Sequence, residues 1–387
     1  MSAALLEGKR ILLFGDERSP HVHKWVGYLE DSGASVDVVG YGEGVALDAF
    51  EYQGLVARGS SVRSVRERMR ATLADLRLLR SVKYDAVSLH FLSDRYALYA
   101  LVSRNPVIIT CWGSDVLVEL PRVRGFSRLV RTAAICRADR VTGDSDDVLE
   151  GIARVVPGAA ERSRLVFWGV DAGRFSEGDP GAPSLRGELG IPEGAIVLLS
   201  NRLCSLHYQV ERIVERFVAS VGAPDIYLVV RAQPGCDPAY IDRCKNAAGA
   251  ARNVRFLARP LPDLELPNLY RSADIVLHYP KTDATPVSML EAISCGRAVL
   301  CSDLLPSYTR IQVDYAIERA PLEAMGEALI RRLAAERPWL AEANRAALLR
   351  MHSRERSVEA VADAFSEAIA VRSGRSMEWK RWRISRW

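Results

Sequence analysis

Short apolar runs alternate with amphipathic helical patterns along almost the whole chain, and few folds accept that alternation. KRILLFGD, Lys9 to Asp16, reads as a buried strand that ends in a Gly loop. In HVHKWVGYLEDSGASVDVVGY, which follows, Trp25, Val26 and Leu29 share one helical face. Gly33 ends that helix, and Val36 to Val39 begin the next strand. YDAVSLHF, PVIITCWG, DRVTGDS and SRLVFWGVD continue the strand series. AIVLLSNR, IYLVVRA, VRFLA, IVLHYP and RAVLCSD form a second one. Strands that alternate with helices predict parallel sheets covered on both faces.

Between the two series lies SEGDPGAPSLRGELGIPEG, Ser176 to Gly194, rich in Gly and Pro and without an apolar run. It reads as an interdomain linker. The chain of 387 residues is too long for one ordinary core. The reading is therefore α/β: a Rossmann-like domain over 1–175, the linker over 176–194, a second Rossmann-like domain over 195–365, and a terminal helix and tail over 366–387. Two such sheets facing one another make a cleft, and ligands of such sheets sit at the carboxyl ends of the strands. The net charge of +4 does not point to nucleic acid. Seven scattered Cys, without a C-x-x-C pair, read as reduced, small apolar residues of a cytoplasmic protein. Neither a signal peptide nor an apolar run of spanning length is visible.

One strand end carries more than its share of chemistry. In DATPVSMLEAISCGRAVLCSD, Asp283 to Asp303, two carboxylates, Asp283 and Glu291, stand eight positions apart around Pro286. Pro suits the start of a helix, where its missing N–H is not needed. The helix would run Val287 to Ser294 and stop near Gly296. Its amide end suits a phosphate. Glu291, about one turn in, suits two sugar hydroxyls, and Asp283 stands before the helix. A sugar–diphosphate–ribose ligand has that layout; a helix start with ordinary acidic dressing has the same spacing.

The segment resembles the E-x7-E region of glycosyltransferase family 4, retaining enzymes of the GT-B fold that use nucleotide sugars. The matching residues are Pro280, Asp283, Ala284, Pro286, Glu291, Ala292, Gly296 and Val299. HVHKWVGYLEDSGASVDVV, TCWGSDVL and FWGVDAGRF resemble further family segments in the same order. The resemblance implies a GT-B fold with a C-terminal helix that crosses back to the first domain. It implies hexosyl transfer from a nucleoside-diphosphate sugar, UDP-sugar foremost, to an acceptor hydroxyl with retention of configuration, in glycan, glycolipid or natural-product biosynthesis. Neither metal nor cofactor is implied, and no cluster of ligand spacing is visible.

By that resemblance Arg202 grips the diphosphate and His207 stands where the family has Lys; Asp283 stands where it has Glu. Asp283 would orient the donor sugar, Glu291 the ribose, and Ala284, Thr285, Pro286 and Val287 would line the donor loop. Arg259, in the loop Leu257 to Leu261, is a candidate for the base or simply faces solvent, and Lys281 is a weaker candidate for phosphate or a solvated loop residue. Gly15 would allow close backbone approach, and His21 and His23 are candidates for the acceptor or merely cap or pack the helix; the acceptor would be a saccharide, a lipid-linked saccharide or a small molecule. His90 and Asp115 lie at strand ends; Asp115 suits a helix cap equally well. Trp112 stands where many relatives have His.

Two basic segments remain. Arg58 to Lys83 holds eight Lys/Arg and two acids, with Val65, Met69, Leu73, Leu76 and Leu79 as an apolar stripe. MEWKRWRISRW, Met377 to Trp387, combines three Trp with four cations. Each suits a solvated or packed surface, or peripheral contact with the inner face of a membrane. HSRERSVEAVADAFSEAI, with Val358, Val361, Phe365 and Ile369 on one face, resembles the crossing helix. An epimerase or hydrolase on the same fold, or an inactive binding protein, stays open beside the transferase. A nucleotide-dependent dehydrogenase is disfavoured, because GDERSP lacks the G-x-G-x-x-G fingerprint.

Overall fold

The alternation is realised in full. The structure, a computed structural model, describes residues 5–17, 19–40, 65–81, 83–178, 183–232 and 235–372. In chain order the first series is β1 (Arg10–Gly15), α1 (Pro20–Asp31), β2 (Ser35–Gly40), α2 (Val65–Ser81), β3 (Ala86–His90), α3 (Asp94–Val102), β4 (Val107–Thr110), α4 (Gly125–Arg137), β5 (Arg140–Gly143), α5 (Asp146–Val155) and β6 (Ser163–Leu165). The second is β7 (Ile196–Ser200), α6 (Val210–Ser220), β8 (Ile226–Arg231), α7 (Pro238–Ala248), β9 (Val254–Leu257), α8 (Leu266–Arg271), β10 (Ile275–His278), α9 (Val287–Ser294), β11 (Ala298–Cys301), α10 (Pro306–Asp314) and β12 (Glu318–Arg319), followed by α11 (Glu327–Met351) and α12 (Arg354–Arg372).

Each series forms its own six-stranded sheet, ordered β2-β1-β3-β4-β5-β6 and β12-β11-β10-β7-β8-β9. All pairings between these strands are parallel. Strand order reverses between β1 and β3 in the first sheet and between β7 and β10 in the second. Such reversals open a crevice at the carboxyl ends of the two strands involved. In the second sheet Val197, Leu199, Val276 and Val299 face one apolar cluster, with α8 and α9. Leu198, Leu228, Leu277 and Leu300 face the other, with α6, α7 and α11. Both faces are covered, as apolar strands of a parallel sheet require.

The chain divides into two compact units, Met1–Trp168 with Glu355–Trp387, and Gly169–Arg354. Two boundaries differ from the sequence reading. The described part of the Pro/Gly-rich stretch 176–194 is no linker: Phe175 before it and Leu185 and Ile191 within it are buried in the core of the second unit. Arg186 donates to the carbonyls of Ser272, Glu193 and Ala195 and to Asp274 Oδ2, stapling the stretch to the sheet. Composition signalled loop because a few apolar residues and one buried Arg do the packing. The return to the first unit comes at Glu355, earlier than 366. There α12 buries Val361 and Phe365, and Glu367 pairs with Arg140 and Arg164 at 2.8 and 2.7 Å.

In α2, Leu79 is buried but Leu73 is 52% exposed, while Asp75 is buried and accepts from the Tyr99 hydroxyl at 2.7 Å. The expected apolar stripe thus gives way to a carboxylate on the inner face. Arg58 to Ser64 and the tail Met377 to Trp387 lie outside the described residues, as do the side chains of Val65 and Met69. No described helix is long and apolar enough to cross a membrane. All seven Cys are free thiols and six are buried, as small apolar residues are.

Candidate active site

The crevice of the second sheet brings together residues 80 and more positions apart. Arg202 follows β7, and the loop after β10 carries Asp283. One Arg202 Nη2 lies 3.2 Å from Asp283 Oδ2, and Nη1 donates to the Ser288 hydroxyl, in the first turn of α9, at 2.9 Å. The guanidinium also lies over the Tyr208 ring, 4.2 Å from its centroid. Burial opposes its charge most, but Asp283, Tyr208 and Tyr308 together outweigh burial and hold Arg202 protonated above its ordinary value.

Asp283 is held from several sides. The Ala284 N–H donates to Oδ1 at 3.1 Å and the buried Tyr308 hydroxyl to Oδ2 at 2.9 Å, while the Ser307 hydroxyl donates to its carbonyl at 3.0 Å. Ala284, Thr285 and Pro286 are buried in the loop that leads into α9. The helix begins at Val287, as expected, with Pro286 as its N-cap, and no side chain caps it. Its amide end therefore adjoins the Arg202 guanidinium through Ser288. At the other end Gly296 adopts φ +68°, the left-handed conformation that closes the helix, and Arg297 N–H donates back to the Ala292 carbonyl.

Glu291 is buried at 7% exposure and accepts from the Tyr270 hydroxyl at 2.9 Å. His207 is exposed, with its ring edge-on to Tyr208 at 4.7 Å and its carbonyl accepting from the Lys281 N–H. Lys281 is exposed too. Arg259 is ion-paired at the surface. Its fork is bound to both oxygens of Glu188, at 2.7 and 2.8 Å, and to Glu265 at 2.7 Å, so it ties its loop to two acids. Two acids close in space but 71 and 6 positions away in sequence explain why this was not legible.

The crevice of the first sheet is built from rings. Gly15 ends β1, and a Cβ there would lie 2.8 Å from Val22 Cγ2 and 3.3 Å from His90 Cβ. The glycine thus serves the approach of α1 and β3. His21, in the first turn of α1, packs on Trp168 and Trp112, with centroids 4.5 and 5.3 Å away. His23 Nε2 contacts the Glu17 carbonyl at 2.6 Å. His90 is buried against Trp25, and neither ring nitrogen has a hydrogen-bond partner among the described residues. Burial, then the neighbouring His21, lowers its pKa to about 3, so the ring is neutral. Phe91, next in line, adopts φ +74°, a strained value for a bulky residue. Asp115 resolves as a staple: its carboxylate accepts from the N–H groups of Leu92, Trp112 and Val116 at 2.8–3.0 Å. Burial nonetheless raises its pKa to about 6.

Sequence reasoning missed Ser288, which accepts from Arg202, Tyr308 and Tyr270, which donate to Asp283 and Glu291, and Asn201, which donates to Tyr270. Ser288 lay inside the quoted stretch, and a hydroxyl in the first turn of a helix at an anion site was the available signal. Among the described residues no group of His, Cys, Asp and Glu could hold a metal ion.

Comparison with known proteins bears on the fold that carries these crevices. Residues 10–145 match the family model of glycosyl transferase 4-like domains, and residues 183–333 that of the group 1 glycosyl transferases. The D-inositol 3-phosphate glycosyltransferase 1 of Catenulispora acidiphila is 27% identical over 242 residues, which cover 57% of this chain and 56% of that protein. The D-inositol 3-phosphate glycosyltransferase of Saccharomonospora viridis is 27% identical over 270 residues, 63% and 59% of the two chains. The matches thus span little more than half the length of these curated relatives. A glycosyltransferase from Rickettsia africae superposes with a TM-score of 0.74 at 12% identity, over 93% of this chain and 98% of the other. The HepE protein of Anabaena, solved in complex with UDP, gives 0.71 at 14% identity, over 92% and 99%. At these identities the likeness shows the fold, which is GT-B.

Proposed function

Because the chain is a GT-B member of the glycosyltransferases that resembles family 4, we propose that it moves a hexosyl group from a nucleoside-diphosphate sugar, UDP-sugar foremost, to an acceptor hydroxyl with retention of configuration. The observation that carries the reading is the Arg202 guanidinium, set between Asp283 and the uncapped first turn of α9. Negative charge grows on the β-phosphate as the bond between the anomeric carbon and the phosphate oxygen breaks. Arg202 and the α9 amides are the donors assigned to that charge, and preorganised donors act most strongly where charge develops. His207 is assigned the second diphosphate contact when protonated. Asp283, held by Arg202 and Tyr308, orients donor hydroxyls, and Glu291 accepts from the ribose. The acceptor oxygen attacks the anomeric carbon on the face the phosphate leaves, and its proton passes to the departing phosphate. No protein nucleophile is required on this route.

His21, at the crevice of the first sheet, is assigned to the acceptor side. The acceptor is a saccharide, a lipid-linked saccharide or a small molecule such as an inositol phosphate, the substrate class in the names of the relatives above. The test is a thermal-shift panel of UDP- and GDP-sugars in EDTA, then NMR of the product formed with each acceptor. The reading expects a shift with one nucleotide sugar, turnover without added metal, and a product of the donor's anomeric configuration. An inverted product, or a strict need for a divalent cation, would contradict the mechanism. Donor cleavage without acceptor marks a hydrolase, and binding without turnover an inactive binding protein.

A further inference from the structure

Behind Glu291 runs a buried chain of hydrogen bonds whose direction can be read from its chemistry. Arg231, at the end of β8, donates from Nη1 to Asn201 Oδ1 at 3.2 Å. Asn201 Nδ2 lies 2.8 Å from the Tyr270 hydroxyl, and that hydroxyl lies 2.9 Å from Glu291 Oε2. Asn201, Tyr270 and Glu291 are at most 7% exposed. A guanidinium has donors only, so it turns the amide oxygen of Asn201 towards itself and the NH2 towards Tyr270. The Tyr270 oxygen then accepts from Asn201, and its single proton goes to Glu291, which as a carboxylate accepts only. Each member thus dictates the orientation of the next, and Asn201 is the residue directly before Arg202.

We propose that Tyr270 and Asn201 are positioning residues that hold the Glu291 carboxylate in one orientation towards the two ribose hydroxyls of the donor, and so make the site selective for a ribonucleotide. The inference rests on the assignment of Glu291 to the ribose. A carboxylate that rotates freely must lose that freedom on binding, whereas one already held meets the hydroxyls without it. The relay also anchors the carboxyl end of β7 and with it the backbone that carries Arg202. The ribose contact and the diphosphate contact of the crevice therefore share one support.

The test compares two probes on the full chain by calorimetry: UDP or GDP, whichever binds the parent more tightly, and the 2′,3′-dideoxy form of that nucleotide. Tyr270→Phe keeps the ring and removes the proton donor. It should weaken the ribonucleotide about ten- to twentyfold, the lower end of what one hydrogen bond to a charged group contributes, and leave the dideoxy form within about twofold. In steady-state assays its donor KM should rise with kcat little changed. Asn201→Ala should give the same selective loss in smaller measure and serves if Tyr270→Phe folds poorly. Equal loss for both probes would show a structural role only and overturn the proposal. So would unchanged binding in both variants while Glu291→Ala is weakened. If Glu291→Ala itself binds like the parent, or neither nucleotide binds the parent, the ribose assignment fails first and the relay falls with it.

Discussion

The two sheets place the same residue type at the same point and surround it differently. β3 and β10, each beside a reversal of strand order, both end in a histidine that is buried and has no hydrogen-bond partner among the described residues. Burial lowers both pKa values, with His21 contributing at His90 and the Arg202 charge at His278, so both rings stay neutral. Around His90 stand Trp25, Trp112 and the His21 ring; at His278 the neighbouring charge is Arg202, itself paired with Asp283. The fold supplies two equivalent crevices. Side chains make one a wall of rings, fixed by packing, and the other a set of charges, fixed by directed hydrogen bonds. Substitutions in the second sheet should therefore act on the nucleotide sugar and turnover, and those in the first on stability and the acceptor.

The largest effect should come from Arg202→Ala. Loss of a charge donor at the diphosphate should depress turnover on the order of 10²–10³-fold while urea unfolding changes little; full activity in this variant would break the charged half of the comparison. Gly15→Ala should act the other way. Its Cβ would crowd Val22 at 2.8 Å and His90 at 3.3 Å. Overpacking costs typically about 1–3 kcal/mol, so the urea midpoint should fall while nucleotide affinity holds. A variant as stable as the parent would show that the ring wall is slack. The smallest effect concerns pH. His90 has a folded pKa of about 3 against 6.5 unfolded, so its contribution is complete above pH 6.5 and is lost as pH falls towards 3, because only the unfolded chain takes up the proton. The slope is at most about 1.4 kcal/mol per pH unit. Asp75 and Asp115, both raised to about 6, act in the opposite sense between pH 6 and 3.8. His90→Leu, compared with the parent between pH 7 and 5, isolates the histidine: the parent should lose stability relative to the variant, and parallel curves would place solvent or a donor at the ring.

The contrast also explains what could be read in advance. Apolar periodicity is local, so strands, α1 and α9 were legible, Val287–Ser294 to the residue. Charged residues at the crevice were legible because E-x7-E places Asp283 and Glu291 within one stretch. Tyr270 and Asn201 were not, since hydrogen bonds across 21 and 69 positions leave no pattern in a single sequence. Asp115 was legible only as a choice. A carboxylate after a strand suits a ligand or a helix cap equally well, and three backbone N–H groups claim this one. The stretch 176–194 misled because composition reports turns, while Leu185, Arg186 and Ile191 report packing only once the sheet they cover is known.

The central claim is that the crevice between β7 and β10 holds the nucleotide sugar. Calorimetric titration of UDP-glucose in EDTA, into the parent, Glu291→Ala and Gly15→Ala, tests it most directly. Hydrogen bonds to a charged group contribute about 1.5–3 kcal/mol each, so Glu291→Ala should bind at least about tenfold more weakly, and Gly15→Ala like the parent. Equal affinity in the parent and Glu291→Ala, or a loss confined to Gly15→Ala, would contradict the account.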